Sequence, residues 1–197
     1  MIPIKDTKSM QEHLKLYEDK RSSKMFGIMF ARPHSLNAQF VKDNYQYWNE
    51  FSGKDFDIFW AGYGAYYNKD DRDKMSLISV EVDGLPKDLQ FDINAFLRVK
   101  EEIKDVIPAF KYKDTYPTLV LVDYKKGKIC YEDAIILNLV SDKEQIETSI
   151  YRTMESLIDL SHQVESVSDF HMILINTKNK VNITDKIFNL TSLFSTL

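Results

Sequence analysis

Two continuous apolar runs stand out from the polar background of the chain. They are KMFGIMFA at 24–31 and DFDIFWAGYG at 55–64, which predicts a second strand. A continuous run such as the first is typical of a strand that is buried on both faces, as in parallel sheets. Between the two runs, aromatic residues recur at helical spacing, which predicts a helix over 36–51 that Gly53 is placed to end.

Capping residues mark the start of three further helices. Ser9 precedes Glu12, and Ser141 precedes Glu144, with the spacing of a capping box, while Asp92 precedes an apolar-periodic segment as a single N-cap. An apolar stripe follows each of these starts. The predicted helices are 10–21, 93–106 and 141–160.

The remaining patterns predict strands. SLISVEVDG at 76–84 alternates apolar and polar positions, and TLVLVDYKKGKICYE at 118–132 has an apolar run, a Lys-Lys-Gly turn and a second run. DFHMILINT at 169–177 also predicts a strand, and the tail predicts a short helix capped at Thr184 or Asp185. Strands that alternate with helices indicate an α/β fold with a parallel or mixed sheet and helices on both faces.

Composition narrows the class of protein. The chain has 197 residues, of which 44% are hydrophobic, so we expect a single domain spanning 1–197 with a sizeable core rather than a disordered chain. The net charge is −4, and the densest basic cluster, at Lys125, Lys126 and Lys128, coincides with the predicted hairpin turn. We therefore expect no nucleic-acid partner, because such binding needs a broad cationic surface.

The cysteine count and the hydropathy of the chain indicate the cellular compartment of the protein. The single cysteine, Cys130, excludes an intramolecular disulfide and any multi-cysteine zinc site. The first ten residues lack the apolar core of a signal peptide, and no apolar run approaches the roughly 20 residues of a membrane helix. These features predict a soluble, cytoplasmic protein without a membrane partner.

The junction ARPHSLN at 31–37 is the best candidate for chemistry, because it joins a strand end to a helix start. Ser35 is placed to cap that helix, and the free N–H groups of a helix start also favour anions. His34 beside it can act as an acid or a base. Ser35 is thus either a plain cap or a hydroxyl that stabilises a bound anion or thiolate.

Other cofactor signals are weak. The four histidines are far apart in sequence and form no metal-binding pair, so we expect no metal site. Gly62 and Gly64 follow the second predicted strand and could expose backbone to a ligand, but the third glycine of a dinucleotide motif is absent. Tyr63, Tyr66 and Tyr67 lie in the same stretch and are candidates for a protein interface, although some of these aromatics must be core.

The segment TYPTLVLVDYKKGKI at 115–129 and the order of predicted elements resemble the thioredoxin fold. In that resemblance Pro117 matches the cis-proline that begins an apolar strand, and positions 34–37 match the redox motif. The resemblance covers 24–160, with an insertion over 66–89 and a C-terminal extension over 161–197. It implies a thioredoxin-like mixed sheet flanked by helices, with an additional N-terminal helix.

The resemblance also implies where a ligand would bind. Both cysteines of the family motif are absent, so we expect no thiol–disulfide oxidoreductase activity. The leading hypothesis is a redox-inactive thioredoxin-like module that binds a protein partner or forms a homo-oligomer, without a cofactor. The alternatives are a transferase-type enzyme that uses Ser35 on a small thiol or anionic substrate, and a structural subunit of an assembly. The candidate binding residues are His34, Ser35, Asn37, Tyr116 and Pro117.

Overall fold

A computed structural model describes residues 2–16, 23–34, 50, 56–64, 77–81, 89–139, 157–161 and 163–178. The predicted helix over 36–51 lies outside these residues apart from residue 50, which is helical, and the tail helix lies outside them entirely. Of the predicted helix over 141–160, residues 157–161 are described, and they are helical. Within the described residues, no helix is long and apolar enough to span a membrane.

The core of the fold is a mixed five-stranded sheet. Its strands are β1 (Ile2–Ile4), β2 (Ser23–Phe30), β3 (Asp57–Ala61), β6 (Thr118–Lys125) and β7 (Lys128–Asn138), in the order β1-β3-β2-β6-β7. Strands β1, β3 and β2 are parallel, and β6 and β7 are each antiparallel to the preceding strand of that order. The central strands are buried almost throughout, as the apolar runs predicted.

A second, two-stranded sheet is inserted after β3. It consists of β4 (Leu77–Val80) and β5 (Leu89–Asp92), which pair in antiparallel fashion. An isolated bridge between Tyr63 and Phe91 connects β5 to the end of β3. The sequence predicted β4 but neither β5 nor the three-residue β1, because segments of three or four residues carry too little periodicity to be recognised.

Helix α1 (Thr7–Lys15) begins three residues earlier than the sequence predicted. Its N-cap is Asp6, whose carboxylate accepts a hydrogen bond of 2.7 Å from the backbone N–H of Ser9. The hydroxyl of Ser9 donates back to the Asp6 carbonyl at 2.8 Å. The predicted cap at Ser9 is therefore wrong, because the helix begins before Ser9 and the N–H groups that Ser9 would have capped lie inside the helix.

Helix α2 (Ile93–Val106) begins as predicted. Asp92 is its N-cap and accepts a hydrogen bond of 2.8 Å from Asn94 N–H. Two apolar residues of this helix, Leu97 and Val106, are exposed. The residues of this helix that are buried are Ala95, Phe96, Val99 and Ile103.

The hairpin of β6 and β7 is confirmed. Its two-residue loop is Lys126–Gly127, and both residues have positive φ, at 49° and 78°. This is the backbone of a type I′ turn, whose twist matches that of the paired strands and which favours glycine at its second position. The solvated lysines of the loop are thus explained by turn geometry.

Helix α3 (Val167–Lys178) replaces the strand predicted over 169–177. The Ser166 hydroxyl accepts from Asp169 N–H at 3.1 Å and donates to the Asp169 carboxylate at 2.7 Å. The buried carboxylate of Asp123 accepts a further hydrogen bond of 2.8 Å from Val167 N–H. The strand prediction is wrong, because a short apolar run fits either element and this cap, together with a carboxylate from β6, favours the helix.

An ion pair is buried at the start of β2 and β3. Lys24 Nζ lies 2.6 Å from Asp57 Oδ2, and both side chains are almost fully removed from solvent. Asp57 Oδ1 has no hydrogen-bond partner among the described residues. A charged pair of this kind contributes specificity of pairing, and removal of one partner is costly.

Candidate functional site

The register of the sheet brings two sequence candidates to one end of the molecule. Phe30, the last residue of β2, pairs with Thr118, the first residue of the antiparallel strand β6. The segment 31–34 therefore leaves the sheet next to Pro117, and His34 and Tyr116 belong to the same end. Ser35 and Asn37 lie outside the described residues, so their part in the site, and the alternative enzyme hypothesis built on Ser35, remain predictions.

Two tyrosines hold the first peptide group after β2. The hydroxyl of Tyr63 donates to the Ala31 carbonyl at 2.7 Å, and the N–H of Arg32 donates to the hydroxyl of Tyr112 at 3.2 Å. These carbonyl and N–H groups belong to one peptide unit, so both of its polar ends are satisfied. Its main chain is therefore fixed in orientation and offers no free group to a ligand.

A closed ring of polar contacts continues from this peptide. Arg32 Nη1 lies 3.0 Å from Asp114 Oδ2, and the same carboxylate is hydrogen-bonded to Tyr112, which in turn accepts from Arg32 N–H. The Arg32 side chain is 21% exposed and that of Asp114 is 55% exposed. The guanidinium is held in a defined position at the surface, because Asp114, which contacts it, is itself bonded to Tyr112, and Tyr112 is bonded to the Arg32 backbone.

His34 is the outermost member of this network. Its ring Nε2 lies 3.2 Å from Arg32 Nη2, and its backbone N–H donates to the Arg32 carbonyl at 2.7 Å. A guanidinium only donates, so Nε2 is the acceptor of a hydrogen bond across this contact. His34 is exposed to solvent.

Burial keeps the two tyrosines neutral at ordinary pH. Burial raises the pKa of Tyr112 to about 12, and the nearby Asp114 charge contributes in the same direction. The pKa of Tyr63 is also raised, mainly by burial. Both groups therefore act as hydrogen-bonding hydroxyls and not as general bases near neutral pH.

The peptide bond between Tyr116 and Pro117 is trans, since the described residues contain no cis peptide bond. The sequence prediction of a cis bond is therefore wrong, because it rested on the family pattern alone. Pro117 is buried, and its carbonyl accepts from Leu139 N–H at 2.9 Å, which extends the β6–β7 ladder by one bond. Neither main-chain group of Tyr116 forms a hydrogen bond among the described residues.

The glycine turn after β3 does not resemble a nucleotide site. Gly62 N–H donates to the Ile4 carbonyl at 3.0 Å, Gly64 N–H donates to Gln90 at 2.8 Å, and the Gly62 carbonyl accepts from Asp92 at 2.7 Å. A Cβ atom at Gly62 would lie 2.8 Å from the Asp92 carbonyl oxygen. The glycines therefore permit close packing of β1, β3 and β5, and these backbone groups are not available to a phosphate.

Cys130 is remote from the candidate site. It pairs with Asp123 near the hairpin end of β7, whereas the site lies at the opposite end of β6. Its partly buried thiol has only a weak 3.9 Å contact to the Lys128 carbonyl. Across the residues that the structure describes, no cluster of three or more His, Cys, Asp or Glu side chains is arranged to hold a metal ion.

Sequence reasoning missed the residues that organise this site. Tyr63, one of the aromatics that the sequence leaves open between interface and core, is buried and donates to the Ala31 carbonyl. Arg32, Tyr112 and Asp114 attracted no prediction. The alternation of apolar and charged residues at 110–113 was a usable signal for an extended segment, but nothing in the sequence placed it beside Arg32.

Comparisons with known proteins found no match of the chain to a family model, a curated protein or a solved structure.

Proposed function

We propose that this chain is a thioredoxin-like domain without redox activity that binds an extended segment of a partner protein at the end of β2 and the start of β6. The observation that carries the proposal is the pairing of Phe30 with Thr118, which sets Pro117 beside the junction at 31–34. The resemblance requires this juxtaposition. The parallel strands β1, β3 and β2, followed by an antiparallel hairpin, also support it.

The residue chemistry at this edge favours recognition over thiol exchange. Histidine and asparagine stand at positions 34 and 37, where the family has cysteines, and the single thiol of the chain lies at the far end of the hairpin. The trans bond before Pro117 departs from the family pattern at a residue on which the resemblance was based, so the thioredoxin-like proposal rests on the strand order and pairing. Thiol–disulfide exchange needs an accessible thiolate at the ligand edge, and this edge holds imidazole and guanidinium groups instead.

The polar groups at the edge suit a peptide ligand. The carbonyl of Ala31 and the N–H of Arg32 are held by Tyr63 and Tyr112, so this peptide unit is rigid but occupied. Tyr116 keeps its main-chain N–H and C=O free of hydrogen bonds within the described part of the chain. An extended partner can pair with Tyr116 by main-chain hydrogen bonds, while His34 contacts its side chains.

The test begins with a display library of random 12-residue peptides, selected for binding to the full chain. Peptides that are enriched are synthesised, and their dissociation constants are measured by fluorescence anisotropy for the native chain, His34→Ala and His171→Ala. His171 is an exposed histidine on α3 and serves as the matched control. We expect at least fivefold weaker binding for His34→Ala and no change for His171→Ala.

A second readout locates the complex independently of the mutations. Backbone amide shifts in a ¹H–¹⁵N spectrum should change at His34 and Tyr116 when the selected peptide is added. Equal affinities for the native chain and His34→Ala, together with shifts confined to α3 or β7, would remove the binding function from this edge.

A further inference from the structure

The chain just before Pro117 carries a narrow cationic edge, which we call the lysine strip and define as Lys111, Lys113 and Arg32. Phe110 is buried, Lys111 is exposed, Tyr112 is half-buried and Lys113 is exposed. This alternation has the period of an extended chain, in which residues two apart point to the same side about 6.5–7 Å from each other. Both lysines therefore face solvent together.

Aromatic packing anchors the inward side of this segment. The ring of Phe30 lies 4.7 Å from that of Phe110 and 6.2 Å from that of Tyr112, and Phe96 lies 5.3 Å from Tyr112. Because the alternate side chains are fixed in the core, the outward lysines project from a segment with a determined position. The backbone that carries the two lysines is thus fixed in position before any ligand binds.

Arg32 joins the strip through its own contacts. Its backbone N–H donates to Tyr112 and its guanidinium pairs with Asp114, so the arginine sits alongside the segment that carries both lysines. Within the described residues, neither Lys111 nor Lys113 forms an ion pair. Asp114 is the sole acidic side chain of the 110–117 segment and is paired with Arg32, so this segment and Arg32 together carry three cationic side chains and one carboxylate on a chain whose net charge is −4.

At the two lysines of the strip, the main chain forms no hydrogen bond within the described residues, whereas both main-chain groups of Arg32 are bonded. The N–H and C=O groups of Tyr116 likewise make no hydrogen bond among the residues that the structure describes. An open main-chain edge favours a second extended polypeptide, which can satisfy these groups in register, over a nucleic acid, whose backbone offers acceptors alone. Charge complementarity then specifies the side chains that such a polypeptide carries.

We infer that the partner segment is an extended acidic peptide, with Asp or Glu at alternate positions, that pairs along 111–113, before the turn at 114–115, and places its carboxylates against the lysine strip. This inference rests on the proposed function and names the class of its partner. It makes the interaction salt-sensitive, because the lysines are exposed and screening acts on them directly.

The experiment is a titration of the full ¹⁵N-labelled chain with two blocked eight-residue peptides, one of alternating Glu and Thr and one of alternating Gln and Thr. Amide shifts report binding at millimolar affinity and identify the residues involved. We expect the Glu peptide to shift the amides of 111–113, to bind at least tenfold more tightly than the Gln peptide, and to weaken as NaCl is raised.

Charge-reversed variants supply the matched control. Lys111→Glu with Lys113→Glu should weaken the Glu peptide at least tenfold. Lys126→Glu with Lys128→Glu makes the same change of charge at the same spacing in the exposed hairpin turn, and should leave binding unchanged. Equal losses in both double variants would mean that net charge alone is sensed and would overturn the inference.

Further outcomes distinguish a failure of this inference from a failure of the proposed function. Equal binding of the Glu and Gln peptides, with shifts still at 111–113, would overturn the acidic specificity and leave peptide binding at this edge standing. Tighter binding of an eight-nucleotide single-stranded DNA, abolished by the Lys111→Glu and Lys113→Glu changes, would assign the strip to nucleic acid instead. An absence of shifts with any probe would likewise overturn the inference, whereas the proposed function depends on the selected peptides and His34.

Discussion

The two ends of strand β2 each carry an ion pair, but the pairs are held in opposite ways. At the start of β2, Lys24 and Asp57 are sealed in the core at 2.6 Å. Beyond its end, Arg32 and Asp114 meet at 3.0 Å with the carboxylate more than half exposed. A buried pair must satisfy its own charges, whereas an exposed pair keeps part of its hydrogen-bonding capacity for a ligand.

Each pair also contains one polar atom that lacks a hydrogen-bond partner among the described residues: Asp57 Oδ1 and Arg32 Nε. Both atoms are buried, so each is a cost, since desolvation of a polar group is not repaid. The arginine differs in that its side chain is 21% exposed and retains further donors on its terminal nitrogens. A difference of this kind is expected if the first end of β2 serves stability and the second end serves the recognition that we propose.

The largest effect is expected at the buried end. Asp57→Ala leaves the Lys24 ammonium in the core without its carboxylate partner, so we expect the free energy of unfolding to fall by about 3–5 kcal/mol. Urea unfolding measures this loss. The double change Lys24→Met with Asp57→Leu should recover most of it, because an apolar pair removes both charges. A single substitution that costs less than about 1 kcal/mol would contradict this division of roles between the two ends of β2.

A smaller loss of stability is expected when the hydroxyl of Tyr63, which is hydrogen-bonded to the chain just after β2, is removed. Tyr63→Phe leaves the Ala31 carbonyl without its donor, which should cost about 1–3 kcal/mol in urea unfolding. Tyr116→Phe is the control, since among the described residues the Tyr116 side chain makes no hydrogen bond, and should stay within about 0.5 kcal/mol of the native chain. Equal effects of the two changes would show that the Tyr63 hydroxyl does not fix the peptide.

Alkaline pH should lower the stability that Tyr112, the second tyrosine bonded to this peptide unit, contributes. The pKa of Tyr112 is raised to about 12, so the folded chain holds this proton more tightly than the unfolded chain, whose tyrosines titrate near pH 10. The stability that this supplies is complete below pH 10 and is lost as pH rises from 10 to 12. After a discount for partial exposure, Tyr112→Phe should gain about 1 kcal/mol on the native chain over this interval.

The check on this effect is a set of urea midpoints at pH 9, 10, 11 and 12, alongside tyrosinate absorbance near 295 nm. Tyr131 has a pKa that burial also raises to about 12, so Tyr131→Phe is a positive control for the method. A native chain and a Tyr112→Phe variant that lose stability in parallel would contradict the raised pKa.

At the exposed pair the stability effect should be small. Asp114→Asn removes one charge of a solvent-screened pair, and we expect a change of about 0.2–1 kcal/mol in the free energy of unfolding. The same variant removes the only carboxylate of the 110–117 segment, so acidic peptides should bind more tightly to it. A loss of stability comparable to that of Asp57→Ala would erase the contrast between the two ends.

The smallest effect is expected from the thiol. Cys130→Ser should leave stability within about 0.5 kcal/mol of the native value and leave binding unchanged, because the sulfur makes only a weak contact away from the site. An insulin-reduction assay should give no turnover with either form. Turnover that disappeared in the variant would place chemistry at the hairpin end and reverse the roles of the two ends.

Local chemistry made much of the architecture predictable from the sequence. The unbroken apolar runs identified β2 and β3, Asp92 identified the start of α2, and the Lys126–Gly127 loop identified the hairpin. Each of these signals acts within a few residues. The strand predicted at 169–177 failed because the carboxylate that helps to cap α3, Asp123, is 44 positions away from Val167 in sequence.

The sequence alone determined the mixed α/β class and placed His34 and Pro117 among the candidates, because periodicity, turn residues and capping are local properties. Only the tertiary structure decided what surrounds them. Strand pairing brought Thr118 to Phe30, and long-range contacts brought Tyr63, Tyr112 and Asp114 to the segment after β2. The physical reason is that a hydrogen-bonded ring among residues 32, 112 and 114 depends on register and burial, which no local pattern of residues encodes.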